Sequence, residues 1–350
     1  MIAKLQPNRV RRTYLGGGRI DAFTGGSRSC ATETDAQERV PPECGADAQE
    51  RVPPMPMPED WMASTTTAFN GTLEIEGEGL GRLEDGRLVK DVVGTLPILV
   101  KLLDSDERLV IQAHPTVPCA KRLFNSPVGK TECWYFLPGT APDACVYLGF
   151  KPGVTREKWK AAFEAQEGLL DMLHRIPVAA GDFVFVDGGM PHAIGGGCFM
   201  IELQEPSDLM VVAERVTPSG RRIPDAKMHG GVGWEAMFDV YEYGGATFEE
   251  VCARYVRRAA GGSRSCATAD AINCAHPVTK ILGSKLTDKF EMWRVTRDGR
   301  ITLPRDRSVA IVTNGAGTLN GYAVTKGDRI LIAEERQIEV ADGTTLIVCS

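Results

Sequence analysis

The sequence predicts a mainly β protein with two jelly-roll or β-sandwich domains and a few inserted helices. Short apolar runs of strand length, separated by glycine- and proline-containing turns, recur along most of its 350 residues. Only two stretches space their apolar residues as a helix does, and the last part of the chain holds seven further strand-like runs. Many short strands with such turns are typical of sandwiches and jelly rolls. A chain of this length has enough material for two hydrophobic cores.

We assign the first domain to residues 1–24 and 58–245, with a repeat-bearing segment at 25–57 between them. The octet DAQERVPP occurs twice in that segment, and the GGSRSCAT at its start recurs at 261–268. Units this short, each present only twice, cannot bury a core as the repeats of a solenoid do. We therefore expect residues 25–57 to be an exposed, mobile insertion without a catalytic role, or alternatively a partner-binding loop.

Deletion of residues 27–55 tests this interpretation. The fold and turnover should remain largely unchanged, because a low-complexity loop contributes little to a packed core. Gel filtration and an activity assay of the deletion variant would check this. A collapse in solubility would show that the segment packs against the domain.

Period and turn residues predict the elements of the first domain. Apolar runs and loose alternation indicate four strands, at 94–103, 109–113, 132–139 and 145–150. The period then changes to 3.6 residues, which predicts a helical insertion near 156–174 with Thr155 as its N-cap. We interpret His174, at the end of this helix, as a structural or surface residue.

The remaining chain contains a histidine-bearing turn, a linker and a second β domain. Two strands, FVFV and CFMIELQ, flank a glycine-rich turn that carries His192, and Pro191 keeps the residue before it extended. Residues 246–276 are predicted to be a helical linker, because TFEEVCARYVRRAA has acidic residues in its first turn and arginines in its last. The strand-like runs in 277–350 predict a second, metal-free β domain.

Four polar residues form a candidate metal site. In LVIQAHP, the alternation of a strand puts Gln112 and His114 on the same face, and Glu132 and His192 follow further along the chain. Two imidazoles, a carboxamide and a carboxylate suit a borderline divalent ion such as zinc, with one position open for water or substrate. Alternatively, these are ordinary polar residues of two strands. Cys133 should face away from its neighbour Glu132 and be a buried thiol.

Composition restricts the classes of partner. A formal net charge of −6 argues against nucleic-acid binding, and no window approaches eighteen consecutive apolar residues, so we expect no membrane span. The N-terminus has basic residues without an apolar region behind them, which argues against a secretory signal. Ten scattered cysteines without a CxxC pair are typical of reduced thiols in a cytoplasmic protein.

These motifs resemble those of the class I phosphomannose isomerases, the zinc-dependent double-cupin enzymes that interconvert mannose 6-phosphate and fructose 6-phosphate. The shared segments are PNRVRRTYLGG, PEDWMAST, LPILVKLLDS, QAHP, KTECWY, GGMPHAIGGG, the E-x-Q-x-x-SD that follows it (residues 202–208) and, in the tail, NGAGTLNGYAVTKGDRILIA. The order of QAHP, KTE-WY and PHAIG is specific, with eighteen residues from His114 to Glu132 and sixty from Glu132 to His192. The resemblance covers most of the chain. It implies two cupin-type domains and a sugar-phosphate substrate.

The resemblance also implies roles for individual residues. It implies one divalent ion, zinc, with the ligands Gln112, His114, Glu132 and His192. Lys130 matches the lysine of the family's K-x-E motif, and Glu202 and Asp208 match acidic residues after the second ligand histidine. Isomerisation needs a Lewis acid for the enediolate and a base that shuttles the proton. Lys130 and Glu202 are both candidates for that base, and Lys130 is alternatively an electrostatic contact to substrate.

Two positions depart from the family pattern. Val110 stands where a serine is usual, and Val212 stands where an arginine is expected after the SD pair. Since arginine is well suited to a phosphoryl group, we predict that Arg215, three residues further on, supplies the guanidinium; Arg221 and Arg222, which follow it, are alternatives. The alternatives are a related isomerase for an unphosphorylated or different sugar, and a cupin that binds a sugar without turnover. Lys130, Glu202 and Asp208 argue against the last of these.

Overall fold

The computed structural model of the protein describes residues 1–25, 56–69, 76–259, 276–283, 285–296 and 298–350. Nearly all of the predicted insertion at 25–57, and the second glycine- and serine-rich stretch at 261–276, lie outside the described residues. The described chain is arranged as four antiparallel β-sheets with short helices between strands.

The described strands are short, as the spacing of turn residues predicts. They are β1 (Ile2–Lys4), β2 (Arg9–Val10), β3 (Glu59–Met62), β4 (Leu99–Ser105), β5 (Gln112–Ala113), β6 (Glu132–Phe136), β7 (Cys145–Phe150), β8 (Leu173–Pro177), β9 (Phe183–Val186), β10 (His192–Ile194), β11 (Cys198–Gln204), β12 (Val211–Val212), β13 (Val256–Arg257), β14 (Val278–Leu282), β15 (Met292–Thr296), β16 (Gly299–Thr302), β17 (Arg307–Asn314), β18 (Ala316–Leu319), β19 (Tyr322–Thr325), β20 (Arg329–Ala333), β21 (Gln337–Ala341) and β22 (Thr345–Cys349). The described helices are α1 (Arg19–Phe23), α2 (Val89–Val93), α3 (Val117–Leu123), α4 (Arg156–Ala165), α5 (Asp225–Met228), α6 (Trp234–Met237) and α7 (Phe248–Tyr255).

Two sheets form the first half of the molecule. One has the strand order β13-β9-β6-β11-β4-β3-β2, and the other β12-β5-β10-β7-β8. Strands β4 and β11 pair with each other and are buried along their whole length. Apolar side chains from both sheets, such as Phe136 on β6 and Val146 on β7, share one buried cluster. The two sheets therefore form a sandwich, which confirms the predicted mainly β fold.

The second half is a further pair of sheets, with the orders β1-β20-β17-β22-β15-β14 and β16-β21-β18-β19. The seven runs that indicated this half become eight strands, because GTLNGYAV folds as the hairpin β18–β19. Its turn residues Asn320 and Gly321 both have positive φ, which asparagine and glycine tolerate best. The buried cluster of the first half continues into this one through Ile311 and Ile347. An apolar interface therefore joins the two halves.

The N-terminal strand belongs to the second half of the molecule, whereas we predicted that it belongs to the first domain. We assigned residues 1–24 to the first domain, whereas β1 pairs with β20 and adds an edge strand to the second half. Ile2 packs against the second half's own apolar cluster. A pairing between residues so far apart in sequence leaves no local pattern, so the partner of this strand cannot be predicted from the sequence.

The helical insertion is shorter than the apolar spacing predicts. Thr155 caps α4 as expected, and its side chain accepts a hydrogen bond from the Lys158 N–H. The helix ends at Ala165, because Gln166 takes the left-handed conformation with φ 56°. His174 therefore lies in strand β8 instead of at a helix end, and its Nε2 is 2.8 Å from the Ala246 carbonyl oxygen. Among the described residues, no helix is both long and apolar enough to cross a membrane.

The segment that carries His192 is a strand instead of a turn. Residues His192–Ile194 form β10 between β5 and β7, and His192 lies directly opposite Gln112. The predicted strand at 109–113 is correspondingly reduced to β5, Gln112–Ala113. This pairing brings the two histidine motifs onto neighbouring strands of the five-stranded sheet.

Candidate metal centre

Three of the four predicted ligands meet inside the first half. His114 follows β5, Glu132 opens β6 and His192 opens β10, and all three side chains are buried. Glu132 lies between the two imidazoles: its Oε2 is 3.3 Å from His114 Nε2, and its Oε1 is 3.3 Å from His192 Nε2. The potential ligand atoms all lie within 4.8 Å of one another, so one ion can contact all of them.

Backbone carbonyls orient both imidazoles. His114 Nδ1 is 2.8 Å from the Leu209 carbonyl oxygen, and His192 Nδ1 is 2.9 Å from that of Met190. A carbonyl can only accept, so each Nδ1 carries the proton and each Nε2 presents its lone pair to Glu132. Metal-bound histidines are held in this way by a partner on the other ring nitrogen. The two rings, with centroids 4.8 Å apart, are thus prepared to act as ligands.

Protonation states also suit a cation. Burial lowers the pKa of His114 to about 3, and the ammonium of Lys130 adds to that effect. Burial likewise lowers the pKa of His192. Burial alone would raise the pKa of Glu132, but the ammonium of Lys130 lowers it well below its usual range. The cluster therefore consists of two neutral imidazoles and a carboxylate, which are the forms that bind metal.

An unsatisfied atom supports the same interpretation. His192 Nε2 is fully buried and has no hydrogen-bond partner among the described residues. A buried lone pair without a partner is unfavourable, and a bound cation would satisfy it. Gln112, the fourth predicted ligand, lies across from His192 and lines the cavity beside the cluster. The residues present thus fit a divalent ion with nitrogen and oxygen ligands.

Lys130 reaches directly into the cluster. Its Nζ is 2.8 Å from His114 Nε2 and 2.9 Å from Glu132 Oε2. The lysine belongs to the KTE segment that opens β6, so it is two residues before Glu132 and its side chain points the same way. A positive charge at this place stabilises the carboxylate and would also attract an oxygen that gains negative charge.

A cavity opens beside the cluster. Its lining combines charged and apolar side chains. The charged and polar lining residues are Arg12, Thr13, Tyr14, Glu59, Lys101, Gln112, Lys130, Glu202 and Lys227; the apolar ones are Leu103, Leu109, Val110, Met210, Val212 and Ile223. Ligand sites commonly combine an apolar surface with a few placed polar groups. The cavity is therefore the candidate substrate site.

Glu202 lies in this cavity as part of a buried ion pair. Its Oε1 accepts a hydrogen bond from Lys101 Nζ at 2.8 Å, and Lys101 Nζ is also 3.8 Å from Glu59. Burial raises the pKa of Glu202, although Lys101 opposes the effect. Arg12 and Lys101 lower the pKa of Glu59 to about 2 in spite of its burial. Glu202 is thus the more basic of the two carboxylates.

Asp208 is held by a residue that we did not predict. Arg12 donates to both of its carboxylate oxygens, at 2.9 and 2.5 Å, and pairs with Glu59 at 3.0 Å. Burial alone would raise the pKa of Asp208, but Arg12 lowers it below its usual range. Asp208 therefore positions Arg12. Arg12 lies in the PNRVRRTYLGG segment, whose resemblance to the family was the only sequence feature that could have drawn attention to it.

Arg215 lies away from the cavity, contrary to its predicted role. Its guanidinium stacks over the rings of Phe163 and Trp234, 4.9 and 5.4 Å from their centroids. Its backbone N–H donates to Gln166, which ends α4. These contacts keep it at the helical insertion, and it does not line the cavity. Val212, by contrast, does line the cavity.

Comparisons with known proteins agree with the resemblance. No protein-family model matches the chain. A mannose-6-phosphate isomerase of Bacillus subtilis is 38% identical over 112 residues, which span 32% of this chain and 35% of that relative. One from Streptococcus mutans is 36% identical over 113 residues, 32% of this chain and 34% of the relative. The matched segment is thus about a third of the length of these curated relatives.

Solved structures extend the similarity to the whole fold. The mannose 6-phosphate isomerase from Bacillus subtilis aligns over 100% of this chain and 99% of its own, with a TM-score of 0.70 and 16% identity. A variant of the phosphomannose isomerase from Salmonella typhimurium aligns over 99% of both chains, with a TM-score of 0.65 and 13% identity. The family resemblance that the motifs predict is therefore confirmed: the chain is similar in sequence to mannose-6-phosphate isomerases over about a third of its length, and it has their fold.

Proposed function

We propose that this protein is a zinc-dependent aldose–ketose isomerase that interconverts mannose 6-phosphate and fructose 6-phosphate in the cytoplasm. The observation that carries the proposal is the buried cluster of His114, Glu132 and His192, which adjoins a cavity with the Lys101–Glu202 pair. Relatives that are named mannose-6-phosphate isomerase are 38% and 36% identical to this chain over 32% of its length. The six cysteines in the described part of the chain are free and buried, as suits a reducing compartment.

The ligand set favours zinc. Imidazole nitrogens, a carboxylate and a carboxamide oxygen form a borderline set, and the open cavity leaves room for a substrate oxygen. When bound, the ion would polarise the carbonyl and neighbouring hydroxyl oxygens of the sugar. His114, Glu132, His192 and Gln112 would hold it, and the carbonyls behind the two imidazoles would keep them aimed at it.

The proton transfer is assigned to Glu202. In the aldose, the C2 proton leaves, a C1–C2 double bond forms and the carbonyl oxygen gains negative charge. The O2 proton then moves to the charged O1, and return of the carbon-bound proton to C1 gives the ketose. Glu202 is suited to carry the carbon-bound proton, because burial raises its pKa and so makes it a stronger base than an exposed carboxylate. Lys130 would stabilise the oxygen that gains charge.

Two variants separate these roles. Glu202→Gln should keep bound zinc and lower kcat by about 10²- to 10⁴-fold, the usual contribution of a general base. It should also stop wash-out of deuterium from mannose 6-phosphate labelled at C2. Lys130→Ala should likewise keep the metal and lose turnover. Persistent wash-out in Glu202→Gln, together with its absence in Lys130→Ala, would instead assign the proton transfer to Lys130.

A coupled assay with mannose 6-phosphate and free mannose side by side tests the activity itself. We expect turnover of the phosphorylated sugar that is abolished by a chelator and restored by zinc, with metal content measured in the same samples. Protein that binds zinc but converts neither sugar would contradict the proposal and favour a sugar-binding protein without turnover.

One observation favours a second candidate, isomerisation of an unphosphorylated sugar. Val110 and Val212 both line the cavity, at positions where the family pattern has a serine and an arginine. Apolar side chains there offer a phosphoryl group no hydrogen bond. Turnover of free mannose alone in the same assay would establish this candidate instead.

A further inference from the structure

Lys227 is a buried lysine that faces the cavity and has no counterion within ion-pairing distance in the described ranges. It belongs to the short helix α5, and only 4% of its surface is exposed. It lines the same cavity as Lys130 and Glu202. Among the described residues, its ammonium makes no hydrogen bond or ion pair. Lysines are almost never this buried unless they are paired.

The other three cations of the cavity are all neutralised. Arg12 binds Asp208 and Glu59. Lys101 binds Glu202 at 2.8 Å, and Lys130 binds Glu132 at 2.9 Å. Within the part of the chain that the structure describes, Lys227 is therefore the one lining cation whose charge is left available to a ligand.

The surroundings of Lys227 make that charge unfavourable as it stands. Burial lowers the pKa of Lys227 to about 8, and the nearby Arg12 guanidinium adds to the effect, while the carboxylates of Asp208, Glu59 and Glu78 oppose it only in part. The side chains of Val212 and Ile223, which also line the cavity, carry no hydrogen-bond acceptor. A buried ammonium in such a place is stabilised most by an anion that enters the cavity.

We propose that Lys227 binds the phosphoryl group of the substrate, in place of the arginine that Val212 replaces. This inference rests on the proposed sugar-phosphate isomerase activity and names the residue that selects its substrate. Arg215 is occupied by two aromatic rings outside the cavity, so it does not supply the charge. A lysine is a point charge that suits phosphate, although it lacks the two-pronged grip of arginine.

Equilibrium binding to the zinc-loaded protein tests the inference without turnover. The probes are sorbitol 6-phosphate, which has no carbonyl and cannot isomerise, sorbitol and gluconate, all followed by calorimetry. Wild type should bind sorbitol 6-phosphate more tightly than sorbitol. In Lys227→Met, the Kd for sorbitol 6-phosphate should rise by about tenfold to a hundredfold, which corresponds to the loss of a charged hydrogen bond. The Kd for sorbitol should stay the same.

Matched variants separate binding from a structural role. Lys227→Arg should retain most of the affinity, and Lys90→Met, which removes the same charge from an exposed helix position, should change the Kd by less than about twofold. The melting temperature of Lys227→Met should be unchanged or higher, because a buried unpaired charge is removed. In the isomerase assay, KM should rise by a factor similar to that of the Kd, with little change in kcat.

The possible failures can be told apart. An unchanged Kd for sorbitol 6-phosphate in Lys227→Met would overturn the inference, and so would a wild type that binds sorbitol 6-phosphate no better than sorbitol. Gluconate binding that depends on Lys227 while sorbitol 6-phosphate binding does not would assign the lysine to a carboxylate and also overturn it. A wild type that binds the phosphate through Lys227 but converts no mannose 6-phosphate would refute the proposed activity alone.

Discussion

The Glu132→Gln variant will be purified without stoichiometric zinc and will lose turnover of mannose 6-phosphate by about 10³-fold or more. Glu132 is the only anionic member of the ligand cluster and lies 3.3 Å from both imidazoles. Glutamine has nearly the same shape but no charge, so it removes the attraction for the cation and also the charge that balances Lys130. Loss of the Lewis acid removes several kcal/mol of stabilisation from the enediolate transition state.

Metal analysis by mass spectrometry and the coupled assay measure this result. Added zinc should raise the melting temperature of wild type but not of Glu132→Gln, since only wild type binds it. Glu291→Gln is the matched control. It makes the same chemical change in the Lys280–Glu291 ion pair of the second half, and the variant should retain full zinc content and activity. His192→Ala should behave like Glu132→Gln. Full zinc content with full turnover in either variant would refute the site.

The second large effect is on stability. Lys101→Met should lower the free energy of unfolding by about 3–5 kcal/mol, the usual cost of breaking a buried ion pair by removing one partner. Lys101 is fully buried, 2.8 Å from Glu202 and 3.8 Å from Glu59, and its ammonium lies 5.0 Å from the centroid of the Trp61 ring. Without it, the charges of Glu202 and Glu59 are no longer balanced by a lysine between them.

Urea unfolding at two pH values measures this loss. Burial raises the pKa of Glu202 and Lys101 opposes it, so removal of the lysine should raise that pKa further. A carboxyl group whose folded-state pKa is raised stabilises the protein as pH falls, since the folded state then binds more protons than the unfolded one. The destabilisation of Lys101→Met should therefore be smaller at pH 5 than at pH 8.

Two further variants serve as controls for this prediction. The double variant Lys101→Met/Glu202→Gln should recover part of the lost stability, because one of the unpaired charges is gone. Lys160→Met breaks the pair with the exposed Glu235 and should cost less than about 1 kcal/mol. Equal effects of the Lys101 and Lys160 variants would show that the buried network contributes no more than a surface pair.

Local sequence patterns were sufficient to predict whether most segments form a strand or a helix. Strand β7 has the predicted bounds 145–150, and Thr155 caps α4. Both follow from interactions between near neighbours in the chain, which a sequence shows directly. The predicted end of α4 was wrong because it relied on local spacing alone. Apolar spacing continues to Leu173, but Leu173 starts strand β8 and pairs with Phe150. Pairing with a distant strand overrode the local period.

The candidate ligands could likewise be named in advance, because the chemistry of zinc restricts the residue types and the family motifs supply the spacing. The position of His192 in a strand opposite Gln112 could not be predicted, since it depends on the register of two segments far apart in the chain. The two carbonyls that orient the imidazoles were also unpredictable. Backbone acceptors carry no identity in a sequence, so only the folded chain shows which ones face a ring.

Tertiary structure decided above all which charged side chains line the cavity and which of them are paired. The resemblance to the family indicated that a cation is expected at the position of Val212, and we therefore predicted that Arg215, three residues further on, supplies it. In the folded chain, Arg215 stacks on two aromatic rings, whereas Lys227, on the short helix α5, lines the cavity and has no counterion among the residues that the structure describes. A sequence shows which charges a chain possesses. Which of them are neutralised, and which are left for a ligand, is decided by the packing that brings distant side chains within ion-pairing distance.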